Sequence, residues 1–222
     1  MMMSALQTEV PSAASRRGAV GHSDLAEPAL TVLRRPERYA LRPLLRHYER
    51  AEAAGKLDST LVATIGEIDH SRIAGLLPPA PRRLVAARRA FAAELHHLIR
   101  LFVGAAKSSD VRIKLEIERN DRCRYFHTDR IGLRLLCTYL GPGTEWVPDE
   151  FANRSALGSG DNAAIVPDPS RVKRLAPFWV GLFKGDLHPD CPGLGCIHRS
   201  PSIGHERNAA RILLTIDNPN ED

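Results

Sequence analysis

Val111-Arg112-Ile113-Lys114-Leu115-Glu116-Ile117-Glu118 alternates apolar and charged side chains without a break. Successive side chains of an extended strand leave on opposite faces. The stretch therefore predicts a strand with one buried face and one wet face. Just before it, at Ser108-Ser109-Asp110, the period changes. Over residues 82–103 the apolar positions Leu84, Ala87, Phe91, Leu95, Leu98 and Phe102 recur at steps of three and four, which predicts a helix with one apolar stripe. Arg82, Arg83, Arg89 and Arg100 occupy its other face. His96 and His97 are adjacent there, point about a hundred degrees apart, and are given no chemical role.

Working outward toward the N-terminus, residues 1–27 are rich in Ala, Ser and Gly without periodicity and are expected to form a disordered tail. Residues 28–222 are expected to form one domain, mainly helical over 28–107 and β-rich over 108–222. Leu30-Thr31-Val32-Leu33 reads as a short strand or an entry segment. Residues 36–54 predict a helix in two pieces, with Pro43 opening the second, since proline lacks an N–H but suits a first turn. Leu44, Leu45, Tyr48 and Ala51 share its apolar face, and Gly55 is the expected stop. A short helix is expected over residues 59–68, capped by Asp58 or Ser59. Pro78-Pro79-Ala80-Pro81 marks the boundary before the long helix.

Toward the C-terminus, Asn120-Asp121 signals a turn. Leu133-Arg134-Leu135-Leu136-Cys137-Thr138-Tyr139 reads as a strand, and Gly141-Pro142-Gly143-Thr144 fits a type II turn. Glu145-Trp146-Val147, Ala163-Ala164-Ile165-Val166, Phe178-Trp179-Val180-Gly181-Leu182-Phe183 and residues 211–216 are further strand candidates, with a polar loop over 149–161. Helices first and then six or seven short strands imply an α+β fold. A helical N-terminal part would pack on an antiparallel β-sandwich or open barrel, a jelly-roll (double-stranded β-helix, cupin-like).

Arg124-Tyr125-Phe126-His127-Thr128-Asp129 carries the chemistry. In an extended segment His127 and Asp129 share a face and reach one ion together. A third ligand must come from a distance, and His198, in Cys196-Ile197-His198-Arg199-Ser200-Pro201, is the candidate. Two imidazoles and one carboxylate form the facial set that leaves open positions on non-haem iron. If the strand runs on without a bulge, His127, Asp129, Leu133, Leu135, Cys137 and Tyr139 share parity and line the interior. Tyr139 or Thr138 would then offer a hydroxyl to a co-substrate. A second ligand set competes for His198. Cys191, Cys196 and His198 lie within eight residues, and Cys123 or His127 would complete a tetrahedral zinc site.

His127-Thr128-Asp129, the Leu133–Tyr139 run and Gly141-Pro142-Gly143-Thr144-Glu145-Trp146, with Phe183-Lys184-Gly185 and His198-Arg199-Ser200-Pro201, resemble an uncharacterised bacterial family, domain of unknown function 1826. The resemblance covers the chain from about residue 28 onward. It implies no established activity, only an occasional association with zinc-homeostasis genes. A looser similarity is to iron(II)- and 2-oxoglutarate-dependent oxygenases. It implies Fe(II) on His127, Asp129 and His198, with 2-oxoglutarate as co-substrate. It also implies a basic residue after the distal histidine to clamp the far carboxylate. Arg211, thirteen residues after His198, takes that role, with Arg207 as runner-up. The expected function is hydroxylation of an unknown small-molecule or protein substrate. The alternative is a zinc-binding protein, metal homeostasis-linked, built on Cys191, Cys196 and His198.

Composition excludes other classes. At 222 residues, with 43% hydrophobic and 26% charged side chains, the chain suits one soluble domain. The net charge is +5, but the arginines are scattered and aromatics are only 5%, so no nucleic-acid face is expected. No run approaches a membrane span and no secretory signal is read, so a cytoplasmic location with reduced cysteines is expected. There is no Gly-x-Ser-x-Gly elbow, phosphate-cradling loop or dinucleotide fingerprint.

Overall fold

The structure, a computed structural model, describes residues 28–51, 57–120, 123–203 and 210–221. The expected tail over 1–27, Gly55, Asp121 and Arg207 lie outside those residues.

The long helix forms where the apolar stripe predicts it, as α3 (Val85–Ala106, with α1 and α2 preceding it at Arg42–Ala51 and His70–Gly75). It buries Phe91, Ala92, Leu95, Leu98, Ile99 and Phe102. Arg88 of α3 donates to the carbonyls of Ala74, Leu77 and Pro78 at 2.6, 2.8 and 3.0 Å. It thereby ties α3 to the end of α2 and to the segment that follows it. Pro43 stands in the first turn of α1, as the sequence predicts, and Leu44, Leu45 and Tyr48 are buried.

The chain holds nine described strands: β1 (Leu30–Leu33), β2 (Asp58–Thr64), β3 (Asp110–Glu118), β4 (Leu133–Leu140), β5 (Glu145–Trp146), β6 (Lys173–Arg174), β7 (Val180–Lys184), β8 (His198–Arg199) and β9 (Arg211–Asp217). Six form a sheet in the order β1-β7-β4-β9-β3-β2, and three form a second sheet in the order β6-β5-β8. Every pairing is antiparallel. An isolated bridge from His127 to His198 extends the smaller sheet beyond β8. Both edges of the larger sheet come from the N-terminal part, so that part is less purely helical than expected.

The helices cover one face of the larger sheet. Val111, Ile113, Leu115, Leu133, Leu135, Cys137, Tyr139, Ile212, Leu214 and Ile216 meet α1 to α3 there in one apolar core. Tyr139 packs edge-on against Phe91 and Phe178, with ring centroids 4.8 and 5.3 Å away. The smaller sheet lies over the opposite face. A second apolar cluster, including Leu136, Trp146, Leu175, Phe183 and Leu213, binds the two sheets. The charged face of β3 is therefore covered rather than wet: Glu116 and Glu118 are buried.

Several expectations are corrected. Residues 58–64 form a strand, not a helix: Asp58 to Thr64 pair in register with Glu116 to Asp110. Alternation explains it, with Ala63 buried and Thr60, Val62 and Thr64 exposed. Ala163 and its neighbours form a short helix, α4 (Asn162–Ile165), because the Asp161 carboxylate accepts from the N–H groups of Ala163 and Ala164 at 2.9 and 3.2 Å. The turn after β4 has its positive φ at Gly141 (+81°) and not at Gly143, so it is not type II. Gly143 is needed for close approach instead, since a Cβ there would lie 2.0 Å from the Leu175 carbonyl oxygen. Among the described residues no helix is long and apolar enough to cross a membrane.

Removing the ring at the centre of the core, Phe91→Ala, is expected to cost about 3–5 kcal/mol in urea unfolding. Alkaline pH should also destabilise the fold. Burial pushes both the Tyr48 phenol and the Cys137 thiol up to about 12. Above their ordinary values of 10.0 and 9.0 the unfolded chain releases protons that the folded chain keeps. Stability is thus fully present below pH 9 and declines as pH rises toward 12. Urea midpoints measured from pH 8 upward check this, and Tyr48→Phe should flatten the decline.

Candidate metal centre

The stretch that carries His127 is held extended from two sides. His127 N–H donates to the His198 carbonyl and His198 N–H donates to the His127 carbonyl, each at 3.0 Å. On the other side Asn162 of α4 acts as a surrogate strand. Its Oδ1 accepts from Phe126 N–H at 2.9 Å and its Nδ2 donates to the Arg124 carbonyl at 3.0 Å. Phe126, Val147, Ile165, Val166 and Ile197 form a small apolar cluster beneath it.

Beyond Thr128 the chain bends through residues 130–132 before β4 begins. That loop is strapped to the end of β7. Asp186 N–H donates to the Asp129 carbonyl at 2.8 Å, Gly185 N–H to Gly132 at 3.0 Å, and Leu187 N–H to Ile131 at 3.1 Å. Gly185 permits the contact, since a Cβ there would sit 2.2 Å from the Ile131 carbonyl oxygen. Thr128 Oγ1 donates to Asp186 Oδ2 at 2.7 Å.

These restraints converge His127, Asp129 and His198, whose ligand atoms all lie within 4.8 Å of one another. His198 Nε2 is 3.4 Å from Asp129 Oδ2, and His127 Nε2 is 3.8 Å from Asp129 Oδ1. Donors that share an ion at about 2.0–2.2 Å stand roughly 3 Å apart at right angles, so small side-chain adjustments close the set. Each imidazole is oriented by its other nitrogen: His127 Nδ1 bonds the Tyr125 carbonyl at 2.9 Å and His198 Nδ1 bonds the Cys196 carbonyl at 3.0 Å. A donated Nδ1–H leaves the Nε2 lone pair aimed at the centre.

Arg134, which the sequence reading passed over, completes the surroundings. Its Nη1 lies 2.7 Å from Asp129 Oδ2, while its Nε and Nη2 donate to Asp217 Oδ2 at 3.0 and 2.8 Å. Arg112 Nε donates to Asp217 Oδ1 at 2.8 Å. The pairing register places Arg134, Asp217 and Arg112 side by side across β4, β9 and β3. Burial alone would raise the Asp129 pKa, but His198, Arg134 and His127 outweigh it and hold the carboxyl well below the usual range. Burial, and then the nearby charge of His198, lowers the pKa of His127. Parity along β4 was the available signal for Arg134, because it shares the inner face with Leu136 and Thr138.

The site opens into a cavity of about 400 Å³ between the sheets. His127 and His198 line it, and so does Arg211. Arg211 is 1% exposed. Its Nε donates to Thr138 Oγ1 at 3.2 Å, Nη2 to Thr144 Oγ1 at 2.5 Å, and Nη1 to Glu118 Oε2 at 3.2 Å and Ser200 Oγ at 3.4 Å. Tyr139 does not line the cavity. The bend at 130–132 resets the parity on which its expected position depended, and its side chain faces the helices.

The competing zinc set is not assembled. Among the described residues, His127, Asp129 and His198 form the single group of three or more candidate ligands, and it contains no cysteine. Cys191 and Cys196 are buried and line a separate cavity with Trp146 and Leu194. Cys196 N–H is tied to the Lys184 carbonyl at 2.9 Å and Leu194 N–H to the Cys191 carbonyl at 2.9 Å, and neither cysteine lines the cavity at His127 and His198.

The chain belongs to the family described as protein of unknown function, DUF1826, matched over residues 27–217. No curated protein matches it. Solved structures similar to it include a dioxygenase for auxin oxidation in rice, at 15% identity and TM-score 0.40, covering 81% of this chain and 66% of that one. This chain thus spans just under two thirds of the rice protein. The dioxygenase for auxin oxidation 1 of Arabidopsis thaliana, solved as a complex with 2-oxoglutarate, is similar at 10% identity and TM-score 0.40, covering 82% and 77%. A prolyl-4-hydroxylase of Pseudomonas putida is similar at 12% identity and TM-score 0.38, covering 86% and 91%.

Arg134→Met is expected to weaken binding of cobalt(II) or iron(II) by about 10–100-fold, because it frees the Asp129 carboxylate to swing. Competition against a chelator measures this, with Asp217→Asn giving a smaller loss in the same direction.

Proposed function

We propose that this protein is a non-haem iron(II)- and 2-oxoglutarate-dependent oxygenase of jelly-roll build that hydroxylates its substrate. The observation that carries the reading is the convergence of His127, Asp129 and His198 on a cavity that also holds the buried guanidinium of Arg211. The reading rests on the geometry of the site itself.

The residues suit the ion. Arg134 Nη1, 2.7 Å from Oδ2, holds the Asp129 carboxylate ionised, while the Nε2 atoms of His127 and His198 stand 3.8 and 3.4 Å from its oxygens, and the three ligand atoms all lie within 4.8 Å of one another. Two neutral imidazoles and one carboxylate are the donor set of mononuclear iron(II) oxygenases. Iron(II), when bound there, supplies open coordination positions for the keto acid and dioxygen. The overall change is R–H plus 2-oxoglutarate plus O2 to R–OH plus succinate plus CO2. In this scheme Arg211 meets the far carboxylate of 2-oxoglutarate bidentately, with Thr138, Thr144 and Ser200 supplying hydroxyls around it. Glu118 holds the guanidinium from its Nη1 side. Arg134 keeps Asp129 ionised and oriented, and the two sheets exclude bulk water.

The winding of the chain supports the jelly-roll reading. From β3 onward it passes to the segment around His127, back to β4, out to β5 and β6, back to β7, out to β8, and back to β9. That alternation between two antiparallel sheets is how a double-stranded β-helix is wound.

Metal analysis and turnover test the proposal together. The wild-type protein, purified under reducing conditions, is expected to bind one iron(II) and to release succinate from 2-oxoglutarate. Asp129→Ala and His198→Ala should lose the metal, whereas Cys191→Ser and Cys196→Ser should keep it. Arg211→Met should keep the metal and lose succinate release. Zinc that disappears with either cysteine variant would overturn the reading in favour of a thiolate site.

A further inference from the structure

The proposed reaction leaves one wall of the cavity without a role. Arg211 stands beside Glu118 at one end of the inner face of the larger sheet. The register then sets three more rows along the strands. Glu116 faces Leu213 and Thr138, Lys114 faces Thr215 and Leu136, and Arg112 faces Asp217 and Arg134. The last row touches Asp129 through Arg134. The Arg211 guanidinium reaches across to Ser200, two residues from His198, and to Thr144, so it and the ion site are joined along the β8 side of the cavity. A co-substrate held between them lies along β8 and β9. The wall left for the other reactant is β3, with Arg112, Lys114 and Glu116.

That wall has a definite chemistry. Lys114 and Glu116 are two residues apart on one strand and pair at 2.8 Å, with side chains 35% and 10% exposed. Arg112 is committed to Asp217. Among the described residues no Phe, Tyr or Trp lines the cavity, its two imidazoles belong to the ion site, and its only aliphatic side chains are Leu136 and Leu213. An aromatic ring held by stacking finds no platform here. An apolar molecule would cover charges without replacing their partners. A simple anion could take Lys114 but would meet Glu116 as a like charge, and a simple cation would face the converse. A molecule that carries one carboxylate and one ammonium can insert into the Lys114–Glu116 pair. Each charge then exchanges one partner for another, and no charge is stranded. The size agrees: about 400 Å³ is at the small end of ligand cavities and must hold both reactants.

We propose that the substrate is a free aliphatic zwitterion of the amino-acid class, held along β3 with its carboxylate on Lys114 and its ammonium on Glu116. The proposal rests on the oxygenase reading for its chemistry and for the co-substrate placement that leaves β3 free, while the charge pair that would bind the zwitterion is there in either case. The charge requirement also argues against a residue within a polypeptide, whose backbone amine and carboxyl are already bonded.

The experiment uses saturation-transfer NMR on the whole protein, both metal-free and loaded with zinc(II) as an inert ion plus 2-oxoglutarate. The probes are the free aliphatic and polar L-amino acids, the N-acetyl and methyl-ester derivatives of the same compounds, and phenylacetate and uracil. Equilibrium dialysis of iron(II) and 2-oxoglutarate runs in parallel. At least one free amino acid is expected to bind, its two blocked derivatives are not, and the aromatic probes are not. Lys114→Met and Glu116→Gln should each weaken that binding by about tenfold or more while iron(II) and 2-oxoglutarate still bind. Lys114→Arg, which keeps the charge, should retain amino-acid binding and so separates a lost contact from a lost fold. If dialysis shows no iron or co-substrate but the amino acid still binds, the oxygenase reading fails and the zwitterion site stands. The proposal is overturned by preferential binding of an aromatic probe or a blocked derivative, by amino-acid binding indifferent to both charge-removing variants, or by no amino-acid binding in either form.

Discussion

Two backbone hydrogen bonds between His127 and His198 hold the site together. Each residue donates to and accepts from the other, so the two segments are fixed in register as a narrow antiparallel pair. Directly opposed residues in such a pair send their side chains to the same face, which brings the imidazole centroids to 4.6 Å. A slip of one residue would send one ring to the other side. The Asn162 clamp, the cluster under Phe126 and the straps from Gly185 to Leu187 all serve to keep that register and the bend that follows it.

The inner face of the larger sheet is the costly part of the fold. Arg112, Asp217, Arg134 and Asp129 form a chain of alternating charge removed from bulk water. Arg211 and Glu118 form a second pair, both buried. Apolar residues of similar size would stabilise such a layer at least as well. The opposite face of the same strands is uniformly apolar and packs on the helices, so stability is concentrated there. One face of the sheet packs on the helices and the other lines the cavity.

Much of this was legible from local pattern. The stripe on α3 and the alternation of β3 appear as written, because each element has one dominant apolar face and the period follows from backbone geometry. The errors have equally local causes. Thr60, Val62 and Thr64 alternate with Leu61 and Ala63, a period of two, and pairing with the edge of β3 turns that alternation into a strand. Ala164 and Ile165 suit a strand until the Asp161 carboxylate accepts from the N–H groups of Ala163 and Ala164. Tyr139 was placed on the cavity side by counting parity through residues 130–132, where the chain bends. Asp217 and Asn162 carried no motif, and Arg134 stood in the Leu133–Tyr139 run with no role read for it; all three matter through neighbours distant in sequence.

The sequence by itself determined most of the kinds of element, the His-x-Asp pair as a candidate two-toothed ligand, and the membership of His198 and Arg211 among the candidates. These follow from periodicity and side-chain chemistry, which are local properties. Only the tertiary structure decided which competing partners His198 would meet. It put Asp129 and His127 at that imidazole and turned Cys191 and Cys196 into another cavity. The reason is that ligand sets compete through strand register and loop direction, which depend on pairing between distant segments.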